Sequence, residues 1–478
     1  MNARQRTKIV LIGSGSMIFS RNLIADILWH ESLKDSEICL VDTDKDRLAT
    51  SEAMARIIAG QIPSAKPVIK ASSDRKKLLE GADFVISCIG VGGFDATEKD
   101  LSIPAKHGLI QTVGDTLGIG GIFRSMRSIP ELLRICEDMK ELCPDALLLN
   151  YSNPMAMHCL AVERATKIRH VGLCHGVQNT AQSMRMYVAM LRDSSPEEIR
   201  RHFERPFNSP ERNNEWATWC AKGDDPELNY TCAGINHMAF FLDFNSGKKD
   251  LYPDLKRALK IPHIHRLDPV RFELFSRLGY FMTETSGHIS EYLPYFLKDK
   301  SEIGKNYLVP LSYIDTCRCL DKEYIRLRKS ILDGRPVVSE PYKPSKEFAS
   351  RIIDAAVTGR AFVFNGNVHN QGGLLISNLP GDCCVEVPCV SDRQGIRPVA
   401  VGELPPQCAA LIRTNINVQD LAVRGILEED PAHIRHAAML DPNTSSQLSL
   451  SQIDRLLEDL FKAHSKLLPK TFKGFRYA

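Results

Sequence analysis

The chain is predicted to be an α/β protein, with a Rossmann-type doubly wound parallel sheet joined to a second, mixed α/β half. Three observations carry this expectation. The opening run KIVLI, residues 8–12, is continuously apolar and stops at Gly13, as a strand buried on both faces does. The stretch after it, SMIFSRNLIADILWH, has helical spacing, and strand-like and helix-like segments then alternate, the signature of parallel βαβ units. A second apolar run, EICLV, ends on an acid, Asp42.

Taken in order, the remaining elements follow the same periodicities. A helix is expected over DKDRLATSEAMARIIAG and a strand at DFVISCI, then a long glycine-containing loop through GDTLGIGG. A helix at RSIPELLRICEDMKELC and strands at ALLLN and HVGLC follow, and a helix over VQNTAQSMRMYVAMLRD closes a dinucleotide-binding domain, residues 1–193. Residues 194–478 form the second domain, for substrate, metal and oligomerisation; within it 194–228, rich in Pro, Arg, Glu and Asn, reads as an inserted, partly exposed segment. NYTCAGINHMAFFLDF is strand-like, hairpin strands surround FVFNGNVHNQGGLLISNLPGDCCVEVPCVSD, and the chain from Gln407 is mostly helical.

Charge excludes some functions. With 61 Lys+Arg against 58 Asp+Glu, a net +3, the chain lacks the basic surface that nucleic acid or an anionic membrane selects, so a small molecule is the expected partner. The first residues, MNARQRTKIVLIGSGSM, run into glycines rather than a cleavage site, and no apolar stretch approaches the roughly 20 residues of a membrane span. A cytoplasmic protein with reduced thiols is expected, because the 14 cysteines show no zinc-type C-x-x-C pair. Cys39, Cys88, Cys136 and Cys159, in apolar company, read as small buried side chains.

Two clusters carry chemistry. Gly13, Ser14, Gly15 and Ser16 lie between a strand and a helix, where backbone amides and the helix N-terminus receive a pyrophosphate, although Ile18 occupies the third glycine position of that fingerprint. Asp42, about 20 residues on, is placed to accept the ribose hydroxyls of NAD and to repel the 2′-phosphate of NADP. The second cluster is Cys174-His175 at the end of HVGLC, with Asn236-His237 as a distant partner. Alone the Cys-His pair reads as core packing; with His237 it reads as a thiolate and an imidazole around a divalent ion that keeps positions open for substrate oxygens.

Set in order, IGSGSMIF, Asp42, DTLGIGGIFRSMRSIP, LNYSNPMAM, VGLCHGVQ, CAGINHMAF, SEYLPYF, ISNLP and VEVPC resemble glycoside hydrolase family 4, the NAD- and manganese-dependent glycosidases, over nearly the whole chain. Within that family the chain is similar to the melibiose-type α-galactosidases. The resemblance implies a fold like lactate and malate dehydrogenases, commonly assembled as homodimers or homotetramers. It also implies a reaction in which NAD takes hydride from carbon 3 of the sugar, a base removes the acidified proton at carbon 2, the glycosidic bond breaks by elimination, water adds, and the hydride returns.

By the same resemblance Cys174 and His237 are the metal ligands, Tyr292 is the base with Tyr295 as the alternative, and His175 is the general acid or a hydrogen-bond partner of a sugar hydroxyl. A base of this type needs its phenol pKa lowered, and a nearby cation is expected to do that. Asn150 faces the nicotinamide ribose, Asn153 the sugar hydroxyls, and Asp115 a further hydroxyl; an Asn-Pro turn is the other reading of Asn150 and Asn153. Gly90 stands where the phospho-sugar enzymes carry arginine, which points to an unphosphorylated α-galactoside. HGVQNT departs from the galactosidase-like pattern and leaves room for a uronic acid, whose carboxylate Arg124 would meet, or for an α-glucoside. Readings of another class are a lactate- or malate-type dehydrogenase, which would release NADH and need no Cys174, and a non-catalytic NAD-binding protein.

Overall fold

The computed structural model describes residues 6–205, 209–339 and 342–472. Six parallel strands, β1 (Lys8–Ile12), β2 (Glu37–Val41), β3 (Val68–Ser72), β4 (Phe84–Ser87), β5 (Leu147–Asn150) and β6 (His170–Gly172), stand in the spatial order β3-β2-β1-β4-β5-β6. This is the doubly wound order, with its crevice where the direction of winding switches between β1 and β4. β1 and β4 carry the expected continuous apolar runs and are buried along most or all of their length.

The sheet does not end at β6. The second half supplies β7 (Leu228–Ile235), β8 (Met238–Ser246), β9 (Lys249–Asp250), β10 (Phe362–His369), β11 (Cys384–Asp392) and β12 (Gly395–Pro398), and β10 lies antiparallel beside β6. One twelve-stranded sheet results, continuing β10-β11-β7-β8-β9, with β12 paired to β11. A single row of backbone partners crosses ten of these strands: Ser72, Val41, Ile12, Ser87, Asn150, Gly172, Asn367, Glu386, Gly234 and Ala239.

The helix Gly176–Asp193 ends where the first half was expected to end, yet the main apolar core is shared. It runs from Ile9 and Leu149 through Phe240 and Val387 to Ile412 and Leu457, so the C-terminal helices return to cover the first half. A second core gathers Met184, Tyr187, Phe241, Phe244 and Phe272 between that helix and the β7–β8 hairpin.

Two expectations are corrected. β3 was not foreseen: its VIKAS sequence is only half-buried, as befits the edge of the sheet, so its apolar signal is weak. The loop expected to reach GDTLGIGG contains a helix, Gly93–Lys106, and a second helix, Gly118–Leu142, begins inside GIGG. The glycines there serve close approach: a Cβ on Gly120 would stand 2.2 Å from the Gly114 carbonyl oxygen. Segment 194–228 is two helices, Pro196–Glu204 and Pro210–Gly223, that bury Ile199 and Trp219 in the second core. All fourteen cysteines are free thiols; Cys39, Cys136 and Cys159 are buried as expected, and Cys88 is half-buried. Among the described residues no helix is long and apolar enough to cross a membrane.

Leu149, fully buried on β5, tests the shared core: Leu149→Ala is expected to lower unfolding free energy by about 2–5 kcal/mol, read from the urea midpoint of the apoprotein.

Candidate active site

Because the row of partners crosses β2, β1, β4, β5 and β6 at one level, the residues that follow each strand emerge along one edge: Asp42, Gly13, Cys88, Tyr151 and Leu173-Cys174. Gly13 has φ 88°, and its N–H and that of Ser14 both donate to Val41 O, at 2.9 and 3.0 Å, closing the turn against β2. A Cβ on Gly13 would stand 2.6 Å from Cys88 O, and one on Gly15 2.6 Å from Asp42 Oδ2, so this approach requires glycine at both positions. Asp42 accepts from Gly15 N at 2.7 Å and Asp44 N at 2.9 Å. Ser16 begins the helix Met17–Trp29 without a side-chain cap.

The hydroxyls of Ser14, Ser87 and Ser152, at the carboxyl ends of β1, β4 and β5, are buried without a hydrogen-bond partner. Three unmatched hydroxyls along the crevice of a doubly wound sheet are what a polar dinucleotide laid there would satisfy. Asn150 is engaged locally: its Nδ2 donates to Ser152 O at 3.1 Å, and its Oδ1 accepts from Ser152 N at 3.3 Å, which is the turn reading of LNYSN.

The second cluster assembles as expected and gains a member. Asn236 and His237 are the two-residue loop between β7 and β8, a tight hairpin that fixes where the imidazole stands. His237 Nε2 lies 3.3 Å from Cys174 Sγ and 3.6 Å from Glu284 Oε1, with Cys174 Sγ 3.8 Å from the same oxygen. Donor edges of this length are those of a tetrahedral shell with ligand bonds of about 2.0–2.3 Å, so thiol, imidazole and carboxylate together fit a divalent ion. Gly176 makes room, since a Cβ there would fall 1.9 Å from Glu284 Oε1, and Glu284 itself holds a left-handed φ of 68°.

Burial, then the Glu284 and Glu386 charges, push the Cys174 thiol well up, against the Gly176 N–H and the Asn236 amide. Burial lowers the pKa of His237, against the Glu284 charge that raises it. Glu284 is raised by burial but lowered further by His237, His288 and His175, and remains ionised. A divalent cation here would make the thiolate the favoured form.

His175, beside the triad, is half-exposed and ion-paired through Nδ1 to Glu347 at 3.3 Å; that bond raises its pKa over the opposing effect of burial. Asn153 Nδ2 donates to Asp115 Oδ2 at 3.2 Å, and Arg124 Nε donates to Asn153 O at 3.2 Å, so the three expected sugar contacts form one cluster. His288 Nε2 stands 3.9 Å from Asp115 Oδ1, and its Nδ1 3.8 Å from Glu284 Oε2, linking that cluster to the triad.

Tyr292 does not have the setting a base was expected to have. It is fully buried, its hydroxyl lies 3.3 Å from His237 Nδ1, and burial followed by Glu291, Asp115 and Glu284 drives its pKa well up. That contact suits the hydroxyl to orient the His237 ring. Tyr295 is 51% exposed with its ring on Phe296.

Glu284, Glu291, His288 and Glu347 were not singled out in the sequence. Glu291 accepts from the N–H groups of Thr112, Val113 and Gly114 at 2.8, 3.0 and 2.8 Å, holding the loop that carries Asp115. The available signal was TETSGHISEY, whose Glu284, His288 and Glu291 recur at helical spacing.

A Rossmann-type crevice beside a cysteine, histidine and glutamate triad defines an enzyme that couples a dinucleotide to a divalent ion. The sequence profile of family 4 glycosyl hydrolases matches residues 8–190, and that of their C-terminal domain residues 232–444. The chain belongs to glycosyl hydrolase family 4. It is 40% identical to an α-galactosidase of Bacillus subtilis (strain 168), over 97% of this chain and 99% of that one, and 34% identical to an α-galactosidase of Rhizobium meliloti (strain 1021), over 97% and 89%. A solved 6-phospho-α-glucosidase from gut microorganisms, in complex with NAD and Mn2+, superposes with TM-score 0.76 at 18% identity, over 97% and 99% of the two chains.

Gly176→Ala is expected to displace the Glu284 carboxylate and weaken Mn2+ binding about 10-fold or more, with Cys174→Ser weaker still. Isothermal titration of purified protein checks both; unchanged affinity in Gly176→Ala would remove Glu284 from the ion's surroundings.

Proposed function

We propose that this protein hydrolyses unphosphorylated α-galactosides through NAD- and metal-dependent oxidation at carbon 3, elimination and water addition. The observation that carries the reading is the meeting of Cys174, His237 and Glu284 at the carboxyl edge of a sheet whose crevice fits a dinucleotide, in a chain 40% identical to an α-galactosidase along its length. When bound, NAD and a divalent ion such as Mn2+ supply a reversible hydride acceptor and Lewis-acid stabilisation of the charge that develops next to a ketone.

The chain's own residues divide the remaining work. Asp42 and the turn Gly13–Ser16 hold the ribose and pyrophosphate, and Asn150 shapes the turn beneath the nicotinamide end. Asp115, Asn153 and Arg124 grip the sugar, and Glu291 keeps the Asp115 loop in place. Cys174 and His237 hold the ion, while Tyr292 fixes the His237 ring. Glu284, whose Oε1 borders the ion while Oε2 faces His288, takes the carbon 2 proton through Oε2, and His175, its pKa raised by Glu347, gives a proton to the departing oxygen. Reduced thiols and the family relationship support a cytoplasmic homodimer or homotetramer.

One observation favours a second substrate. Among the described residues Arg124 is in no ion pair, and with its Nε bonded to Asn153 O its two terminal amino groups can meet a carboxylate; α-galacturonidases 26–28% identical are among the relatives.

Purified protein with reductant is expected to release p-nitrophenol from the α-galactoside only when NAD and Mn2+ are both added. Release from the α-galacturonide alone would move the substrate and keep the chemistry; release indifferent to NAD and Mn2+ would sink the mechanism. Glu284→Gln is expected to lower kcat about 10²–10⁴-fold and to abolish solvent deuterium uptake at carbon 2, with Tyr292→Phe retaining uptake. The reverse pattern would return the base to Tyr292.

A further inference from the structure

Behind the β4 side of the crevice lies an ion pair that no step above uses. Arg127, on the helix Gly118–Leu142, donates from Nη1 and Nη2 to the two carboxylate oxygens of Asp100, on the helix Gly93–Lys106, at 2.9 and 2.6 Å. Both side chains are 1% exposed. His464, which follows the C-terminal helix Leu450–Ala463, is buried beside them. Its Nε2 stands 2.9 Å from Asp100 Oδ1, off the angle of a full hydrogen bond, and its ring lies against Phe123.

Taking a carboxylate and a guanidinium out of water is costly, and well-packed apolar side chains in their place are often as stable or more so. Filling this space therefore does not call for charge. The third donor of the guanidinium gives it a use: Arg127 Nε donates to Val91 O at 3.4 Å. Val91 belongs to the loop Cys88–Gly92 that leaves β4, and that loop runs against the glycine turn. Cys88 N donates to Ile12 O at 2.9 Å, and a Cβ on Gly13 would stand 2.6 Å from Cys88 O. Gly92, with φ 89°, has no room for a side chain, since a Cβ there would fall 2.6 Å from Ala96 Cβ and 2.7 Å from Leu467 Cδ1, three residues past His464. The loop is thus one wall of the crevice between β1 and β4, where a doubly wound sheet receives its dinucleotide, and it is held from behind by Arg127 and by the C-terminal segment. A planar fork suits the task, because two N–H groups grip the carboxylate while Nε reaches back to the loop carbonyl; an ammonium has no such geometry.

We propose that Arg127, held by Asp100 and His464, is a positioning residue for the dinucleotide: it fixes the backbone of Cys88–Gly92 against the glycine turn and so sets the affinity for NAD. The inference rests on the dinucleotide reading of the crevice. It gives the second arginine of IFRSMRSIP a task distinct from that of Arg124, one turn earlier on the same helix.

Apolar replacement of the buried set separates positioning from stability. The triple variant Asp100→Leu, Arg127→Met, His464→Phe is expected to melt, without NAD, at or above the wild-type temperature, and to bind NAD about 10-fold more weakly by isothermal titration. Its Mn2+ affinity, measured without NAD, should be unchanged, because Cys174, His237 and Glu284 are carried by other elements. Arg127→Lys keeps the charge beside Asp100 and gives up Val91, so it should lose NAD affinity to a similar extent. NAD affinity unaltered in either variant, or Mn2+ affinity falling in step with it, would overturn the proposal alone. A wild-type protein that binds no NAD would overturn the dinucleotide reading itself and this inference with it.

Discussion

Backbone pairing along one row of the sheet is the constraint on which the rest depends. From Ser72 to Ala239 each partner is fixed by its neighbour's hydrogen bonds, and Asp42, Gly13 and Cys174 lie just past this row. A slip of one residue in β6 would turn Cys174 to the other face of the sheet, since successive side chains alternate. The antiparallel β10 and β11 extend the row without a break, which is how His237, 63 residues from Cys174, arrives 3.3 Å away. What is separate in sequence is adjacent in the sheet because the second half pairs directly with the last parallel strand.

Upon that frame, one functional group is given several characters. Glu284 is held ionised by the histidines around it; Glu291 is pushed up by burial although three backbone N–H groups draw it down; Glu386 is kept neutral by burial. Glu347 is committed to His175. The differences come from position: the hairpin tip and the edge loops face histidines, whereas the middle of β11 faces apolar strands and two asparagines.

Much of this was legible in the sequence. KIVLI, EICLV and DFVISCI announce parallel strands because both faces are buried and the apolar run is unbroken; VIKAS, on the edge, gives no such run. GDTLGIGG misleads for a related reason, since Gly120 and Gly121 lie inside a helix and answer to crowding by Gly114 and Thr116 rather than to a turn. Cys174 and His237 were readable from their motifs. Glu284 was not, because its place depends on the bridge between Phe240 and Met282, which holds the strand-like segment before it against β8, and no local pattern encodes that pairing. Tyr292 was readable as a site residue but not in its setting: only the fold shows three carboxylates around the phenol where a cation was expected.

The same electrostatics argue against ordinary glycoside hydrolysis. Two carboxyls would have to flank the bond, one of them with a raised pKa so that it can protonate the leaving oxygen. The carboxyls at the sugar cluster and the triad, Asp115 and Glu284, are both raised by burial but lowered further by neighbouring histidines, with Arg124 adding to the effect on Asp115, so neither keeps a proton at neutral pH. Those pushed upward, Glu291 and Glu386, are 2% and 1% exposed and occupied with backbone and asparagine partners, out of reach of a glycosidic oxygen. The group at the pocket whose pKa moves in the direction an acid needs is the His175 imidazole. The ionised carboxylates that line the site are suited to removing a proton from carbon next to a polarised carbonyl.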